Sequence, residues 1–383
     1  MPRARSTIAI AALCLVAACS SGGDDEAADD ETPTGSGASP STGTSTDDGP
    51  ESGGSGTGTD EAPDAAEAET AGLDWSVRKL RADGAAAATR GWTGVADTLG
   101  KRVTITGPGK TLRFRAGKGR VQALEMQWPW AVVYAGPSLT ARGAKSGKLA
   151  VYDLRTGERR MVGQVGSAPP PAAAGSISMY DGALAYPTGP NDHYCLARLD
   201  LGSLDGEQLT CAKPLKEGFT QLRLTPDALG YTSFDNRSKP CMTLKAVKNG
   251  TAQVVGAAKR CVGWEIVPGG ESQLWLQIRN RHRVEIGTAY ARGPDGEVAK
   301  LGAAMSGSST WCGGATYYLR PASKDGTADD LMRWSPESGL ERVWKPRGRK
   351  VSFVFAPHCG GSTITLPGLD RNQNAILMSA PAT

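Results

Sequence analysis

The chain has 383 residues, 39% of them hydrophobic, and its 43 Lys and Arg against 39 Asp and Glu leave a formal net charge of +4 at pH 7. That near-balance hides a partition: residues 1–73 hold 14 of the acidic side chains and 2 of the basic ones, so residues 74–383 carry 41 basic against 25 acidic groups, a net of +16. A strongly basic folded part favours anionic partners. None of the common base-reading motifs is present, which together with the export signal below excludes nucleic acid as the expected partner.

Residues 1–18 begin with Arg3 and Arg5 ahead of an apolar run over residues 8–18. The run is too short to span a bilayer and has the charged start and small-residue exit of a secretory signal. Its end, Leu15-Val16-Ala17-Ala18-Cys19, resembles the bacterial lipobox. That resemblance implies lipidation of the Cys19 thiol, a new N-terminus at Cys19, and an exported protein anchored by lipid to the outer face of the cell membrane. Residues 19–73 are mostly Gly, Ser, Thr, Ala, Pro, Asp and Glu, with Leu73 the first large aliphatic side chain after the signal. Such a segment cannot bury enough apolar surface to offset the entropy of ordering, so a disordered acidic linker with a reach of about 40 Å is expected.

Residues 74–110 are expected to form an N-terminal extension, with a short helix and loop over residues 75–101. From residue 111 to residue 383 the chain repeats a weak unit of an apolar strand, a turn and a second apolar strand, then a polar loop and a hairpin. The turn and second strand recur from positions 127, 180, 226, 271, 312 and 359, spacings of 41 to 53 residues. Four strands at that period predict an all-β, six-bladed β-propeller of four-stranded antiparallel blades, with seven blades as the alternative. The last unit has three strands of its own, and residues 111–115 are expected to supply the fourth and close the ring. Tyr152-Asp153-Leu154-Arg155-Thr156-Gly157-Glu158 and Thr225-Pro226-Asp227-Ala228-Leu229-Gly230-Tyr231 resemble strand-turn motifs of exported TolB-like propellers. The resemblance implies a binding scaffold without identifying a ligand.

With Cys14 in the signal and Cys19 lipidated, six cysteines remain for an oxidising compartment, and three disulfides are expected. Predicted hairpins set Cys195 opposite Cys211 and Cys241 opposite Cys261, which leaves Cys312 with Cys359. No Cys-x-x-Cys spacing suggests a metal, and neither metal nor cofactor is expected.

Catalytic motifs are scarce. Residues 106–111 lack the first glycine of a phosphate-binding loop and read as a hairpin turn. No Gly-x-Ser-x-Gly elbow or His-Glu-x-x-His helix occurs. His358, beside a disulfide cysteine, reads as structural, and His193 has no nucleophile to serve. Trp130, Trp275, Trp334 and Trp344 are expected in packing between blades, whereas Trp128, Trp264 and Trp311 are candidates to line the channel.

The loops joining second to third strands, and those joining successive blades, emerge on one face of a propeller. There the sequence collects Arg237, Lys239, Arg279, Arg281, His282, Arg283, Arg347 and Arg349. Clustered guanidinium groups suit phosphate or carboxylate recognition. The expected function is non-catalytic binding of an anionic envelope polymer or an envelope protein by a membrane-anchored module. The alternative, a propeller lyase or glycosidase acting on wall carbohydrate, needs converging carboxylates, for which Asp192, Asp235 and Asp325 are the candidates.

Overall fold

The structure is a computed structural model. It describes residues 69–80, 84–137, 147–163, 166–172, 176–189, 194–213, 216–235, 237, 240–255, 258–259, 261–278, 284–321, 329–346 and 351–382. Among the described residues there is no α-helix, and seven sheets of four antiparallel strands follow one another along the chain. Blade 1 comprises Ala86–Thr89, Trp92–Ala96, Arg102–Gly107 and Lys110–Arg115. Blade 2 comprises Arg120–Gln127, Trp130–Gly136, Lys148–Asp153 and Arg159–Met161. Blade 3 is Ser178–Tyr180, Ala183–Thr188, Cys195–Asp200 and Gly206–Cys211, and blade 4 is Glu217–Leu224, Leu229–Asp235, Met242–Lys248 and Thr251–Val254. Blade 5 is Gly263–Gly269, Ser272–Gln277, Ile286–Arg292 and Val298–Met305, and blade 6 is Thr310–Cys312, Ala315–Pro321, Asp329–Ser335 and Gly339–Trp344. Blade 7 has an inner strand in two pieces, Val351–Val354 and His358–Cys359, followed by Thr363–Asp370 and Ala375–Pro381. Its outermost strand is Ser76–Lys79 from the other end of the domain.

The hydrophobic cores lie between neighbouring blades rather than within them. One cluster joins blades 1 and 2 around Ile105, Leu124 and Tyr152, and further clusters fill the seams up to that between blades 6 and 7, around Leu331, Ile364 and Met378. Each sheet is therefore covered on both faces. This is why the second strand Trp130–Gly136 is buried at every position and reads as a continuous apolar run rather than an alternation. The seam between blades 7 and 1 is tied by polar contacts: Thr89 Oγ1 donates to Gly360 O at 2.8 Å, and Arg78 Nη1 donates to Thr93 Oγ1 at 2.7 Å.

The ring has seven blades where six were expected, because residues 86–115 form a blade in place of the expected extension. The alanine-rich segment Ala86–Thr89, whose composition favours helix, is instead an inner strand with Ala86 and Ala87 1% exposed. Burial between two sheets overrides local propensity here. Nor do residues 111–115 close the ring. The tight turn at Pro108 and Gly109 pairs Gly107 with Lys110 and folds that segment back onto Arg102–Gly107, leaving the closing role to Ser76–Lys79. The residue 106–111 hairpin is as expected.

Regular structure begins before residue 73. Glu69–Thr70 pairs in parallel with Gly339–Trp344 at the outside of blade 6. Leu73 and Trp75 pack on the core between blades 6 and 7, and Trp75 Nε1 donates to Val343 O at 3.2 Å. Cys19 and the rest of the predicted signal and linker lie outside the described residues.

The three expected disulfides form. Cys195 and Cys211 face each other across a hairpin, and Cys241–Cys261 joins blade 4 to the start of blade 5. Cys312–Cys359 joins the inner strands of blades 6 and 7.

The alternating strand directions give the ring two unlike faces. Turns between first and second strands, and between third and fourth, share one face, here the turn face. They are tight: Arg90-Gly91 and Asp181-Gly182 are two-residue hairpin turns with both φ positive, 38° and 80°, then 42° and 75°. Such turns match the twist of the flanking strands. The loops between second and third strands and the connections between blades share the opposite, loop face.

Candidate functional site

The loop face is the basic one. Among the described residues, exposed Lys118, Lys148, Lys216, Lys259, Lys345 and Arg371 stand on it at separate stations around the ring. Several acids of this face are already engaged. Asp97 Oδ2 lies 3.3 Å from Arg102 Nε, and Glu217 Oε1 lies 3.9 Å from Lys213 Nζ. The turn face is different: its turns carry Asp181, Asp205, Asp227, Glu271, Asp295 and Glu337, and acids outnumber cations there.

Of the eight expected ligand-binding residues only Arg237 is described. Its side chain is 80% exposed, and its Nε lies 3.1 Å from Asp235 Oδ2. Asp235 Oδ1 accepts the Cys241 N–H at 2.8 Å, so this carboxylate orients the loop beside the Cys241–Cys261 bridge. That engagement leaves Asp235 poorly suited to the acid or base role considered for it. Lys239, Arg279, Arg281, His282, Arg283, Arg347 and Arg349 lie outside the described residues, as do Asp192, His193 and Asp325.

Inner strands bring together groups that the sequence did not single out. Glu265, 0% exposed on the inner strand of blade 5, pairs through Oε2 with Arg223 Nη2 of blade 4 at 2.9 Å. The same Nη2 donates to Gly307 O at 3.2 Å in the connection to blade 6, so one guanidinium ties three consecutive blades. Burial raises the Glu265 carboxyl, opposed by the Arg223 charge and by Ser309 and Gly307 close by. A lone Glu in the apolar strand Trp264-Glu265-Ile266-Val267 was the available signal, since an unpaired charge there would be costly. His358 Nδ1 of blade 7 lies 3.4 Å from Glu125 Oε1 of blade 2. The contact joins the inner strands of blades 7 and 2. Phe355, 42% exposed between the two inner pieces of blade 7, meets Phe353 edge-on with centroids 5.1 Å apart.

The tryptophans divide as their strands do. Trp130, Trp275 and Trp334 are buried and Trp344 is partly so, packed in the seams. Arg155 and Arg160 lie over the Trp130 ring at 5.5 and 5.7 Å. The channel candidates are half-buried. Trp264 leans on the core between blades 5 and 6, and Trp128 carries the Arg90 guanidinium 5.9 Å above its ring.

Asp329, 2% exposed at the head of a blade 6 strand, has an Oδ1 without a hydrogen bond. Burial pushes its carboxyl up to about 6, with the Asp330 charge adding to the shift. In the folded state the proton is therefore held where the unfolded chain has released it, so stability falls as pH rises from about 4 to about 6. Asp329→Asn should abolish that fall and add about 1–3 kcal/mol at pH 7. Urea melts at pH 4 and pH 7 read both effects, and an unchanged pH slope would refute the assignment.

Two clefts open on the turn face. The larger, about 400 Å³, lies between blades 4 and 5, lined by Lys248, Pro268, Glu271, Gln273 and Arg292 among others. The smaller, about 220 Å³, lies between blades 3 and 4 beside Tyr180, Asp181 and Arg198. Among the described residues no group of three or more His, Cys, Asp or Glu side chains could hold a metal ion.

No protein-family model and no curated protein matches this sequence. Solved structures do. The β-propeller domain of the Trilobed protease from Pyrococcus furiosus, described with an open velcro topology, matches at 11% identity and a TM-score of 0.52, over 77% of this chain and 93% of its own. A structure of prolyl endopeptidases matches at 10% identity and a TM-score of 0.50, over 81% of this chain. The present chain spans 47% of that protein's length. TolB from Acinetobacter baumannii matches at 13% identity and a TM-score of 0.38, over 80% of this chain and 79% of its own. At 10–11% identity the first two likenesses establish the fold alone, and the chain is an all-β protein whose described part is a seven-bladed β-propeller.

Proposed function

We propose that this protein is an exported module, tethered to the membrane through Cys19, whose propeller binds an anionic component of the cell envelope through its loop face without chemical turnover. One observation carries this reading: the two faces of the ring differ in charge. The basic excess sits on the face with the longer loops, while the tight-turned face holds more acids than cations. A solubility charge would be spread over both faces, whereas a one-sided field steers and orients an anionic partner. The three disulfides suit an oxidising compartment, and the TolB-like strand-turn motifs suit a scaffold that binds rather than reacts. Arg279, Arg281 and Arg283, the densest run of positive charge in the sequence, lie outside the described residues and are proposed to join this face.

The test is retention of the full chain, carrying Cys19→Ser, on immobilised dextran sulfate, eluted with rising salt. The protein should be retained and released by salt, and Arg281→Glu with Arg283→Glu should weaken binding by about tenfold or more at moderate ionic strength. Identical elution of the double variant would remove those arginines from the site. A wild-type protein that passes unretained would defeat the reading itself.

A further inference from the structure

We infer that the loop face docks flat on an anionic lipid surface, with the turn face directed away from it; this rests on the binding reading above and names its ligand. Among the described residues, the cations of the loop face do not converge on a socket. Lys118 and Lys148 stand near blades 1 and 2, Lys216 and Lys259 on the connections into blades 4 and 5, and Lys345 and Arg371 beside blade 7. Stations spaced around a ring can all meet a plane of charge at once, whereas a single linear polymer crossing the face would reach a few of them.

Lysine suits such a plane. Its ammonium is a hydrated point charge that needs no paired acceptor geometry, in contrast to the fork of an arginine that recognises one phosphate or carboxylate. Each Lys brought close to an anionic bilayer strengthens adsorption by about fivefold, so a handful suffices for stable docking.

Two further features agree. Leu99 is 64% exposed in the loop-face segment between Asp97 and Lys101, which sets an apolar side chain on the face that carries the cations, as an interfacial contact requires. The clefts between blades 3, 4 and 5 open on the opposite face, where Asp181, Asp227 and Glu271 would be repelled by anionic headgroups. Charge thus selects which face meets the lipid and leaves the clefts accessible.

The test is co-sedimentation of the full chain carrying Cys19→Ser with vesicles of phosphatidylcholine alone and of phosphatidylcholine mixed with phosphatidylglycerol. The protein should pellet only with the mixed vesicles. Lys118→Glu with Lys148→Glu and Lys259→Glu should weaken that binding by about 100-fold or more, while Asp227→Lys with Glu271→Lys on the turn face should not weaken it. Thermal melts of both variants report whether each still folds. Binding that survives loop-face reversal in a folded variant would overturn the inference, as would loss of binding in the turn-face variant. Retention on dextran sulfate without vesicle binding would overturn lipid docking and leave the anionic-binding reading standing. Absence of both would end the two together.

Discussion

Arg223→Ala is expected to lower the stability of the propeller by about 3–5 kcal/mol at pH 7. The substitution leaves the Glu265 carboxylate, 0% exposed, without the cation that now sits 2.9 Å away. It also releases Gly307 O, the point at which the guanidinium reaches from blade 4 to the connection with blade 6. Replacing both partners with apolar side chains, Arg223→Met with Glu265→Leu, should restore most of the loss, since a buried ion pair recovers little more than the cost of desolvating its charges. Acidity supplies a second check. Burial already raises the Glu265 carboxyl, and removing Arg223 raises it further. The protonated carboxyl is the form that the buried site tolerates, so the defect should shrink as pH falls toward the ordinary carboxylate range and be complete well above it. Denaturant melts of the single and double variants at pH 5 and pH 7 decide the matter. Equal losses in both would show that the side-chain volume, and not the stranded charge, matters at this site.

Cys312→Ser with Cys359→Ser should cost about 4 kcal/mol, from the chain entropy released when a 47-residue loop is opened. The bridges at separations of 16 and 20 residues should each be worth about 3 kcal/mol by the same reasoning. Position widens the gap. Blade 7 is assembled from both ends of the domain, Ser76–Lys79 with the three C-terminal strands, so its fourth strand is held by backbone pairing and a few side chains such as Ser76 with Ser379. Cys312–Cys359 is a disulfide cross-link between the inner strands of that composite blade and of blade 6, in addition to the chain connection. Its loss should therefore expose the N-terminal strand as well as lower the melting temperature, and limited proteolysis should cut near residue 80 sooner than in the Cys195→Ser, Cys211→Ser protein. A 312/359 variant as stable and as resistant as the 195/211 variant would contradict this account of the seam.

The cysteine pairing was legible because Cys195 and Cys211 face each other across a hairpin, Cys241 and Cys261 flank the Met242–Lys248 and Thr251–Val254 hairpin closely enough to meet where the chain enters blade 5, and the third pair was what remained. The propeller architecture was legible from recurring turn-and-strand segments roughly every 45 residues. The first blade was not. Its inner strand is Ala-Ala-Ala-Thr, a composition that favours helix in isolation, and its outer hairpin resembled a spare strand for the last blade. Trp130, Trp275 and Trp334 fell in the seams because apolar residues on both faces of a strand demand a sheet on either side. Arg223 and Glu265 were missed because they are 42 residues apart in sequence, and nothing local tells a stray buried Glu that its partner lies one blade away.

What the sequence determined by itself was whatever depends on local pattern: the all-β class, the blade period, the two shorter bridges, which left the third by elimination, and the basic excess of residues 74–383. Each follows from residues close together in the chain or from composition, where hydrophobic periodicity and turn chemistry act directly. The tertiary structure alone decided the number of blades, which strand closes the ring, the Arg223–Glu265 ion pair between blades 4 and 5, and the excess of acids on the turn face. These depend on which distant segments meet, and burial between sheets overrides local propensity when they do.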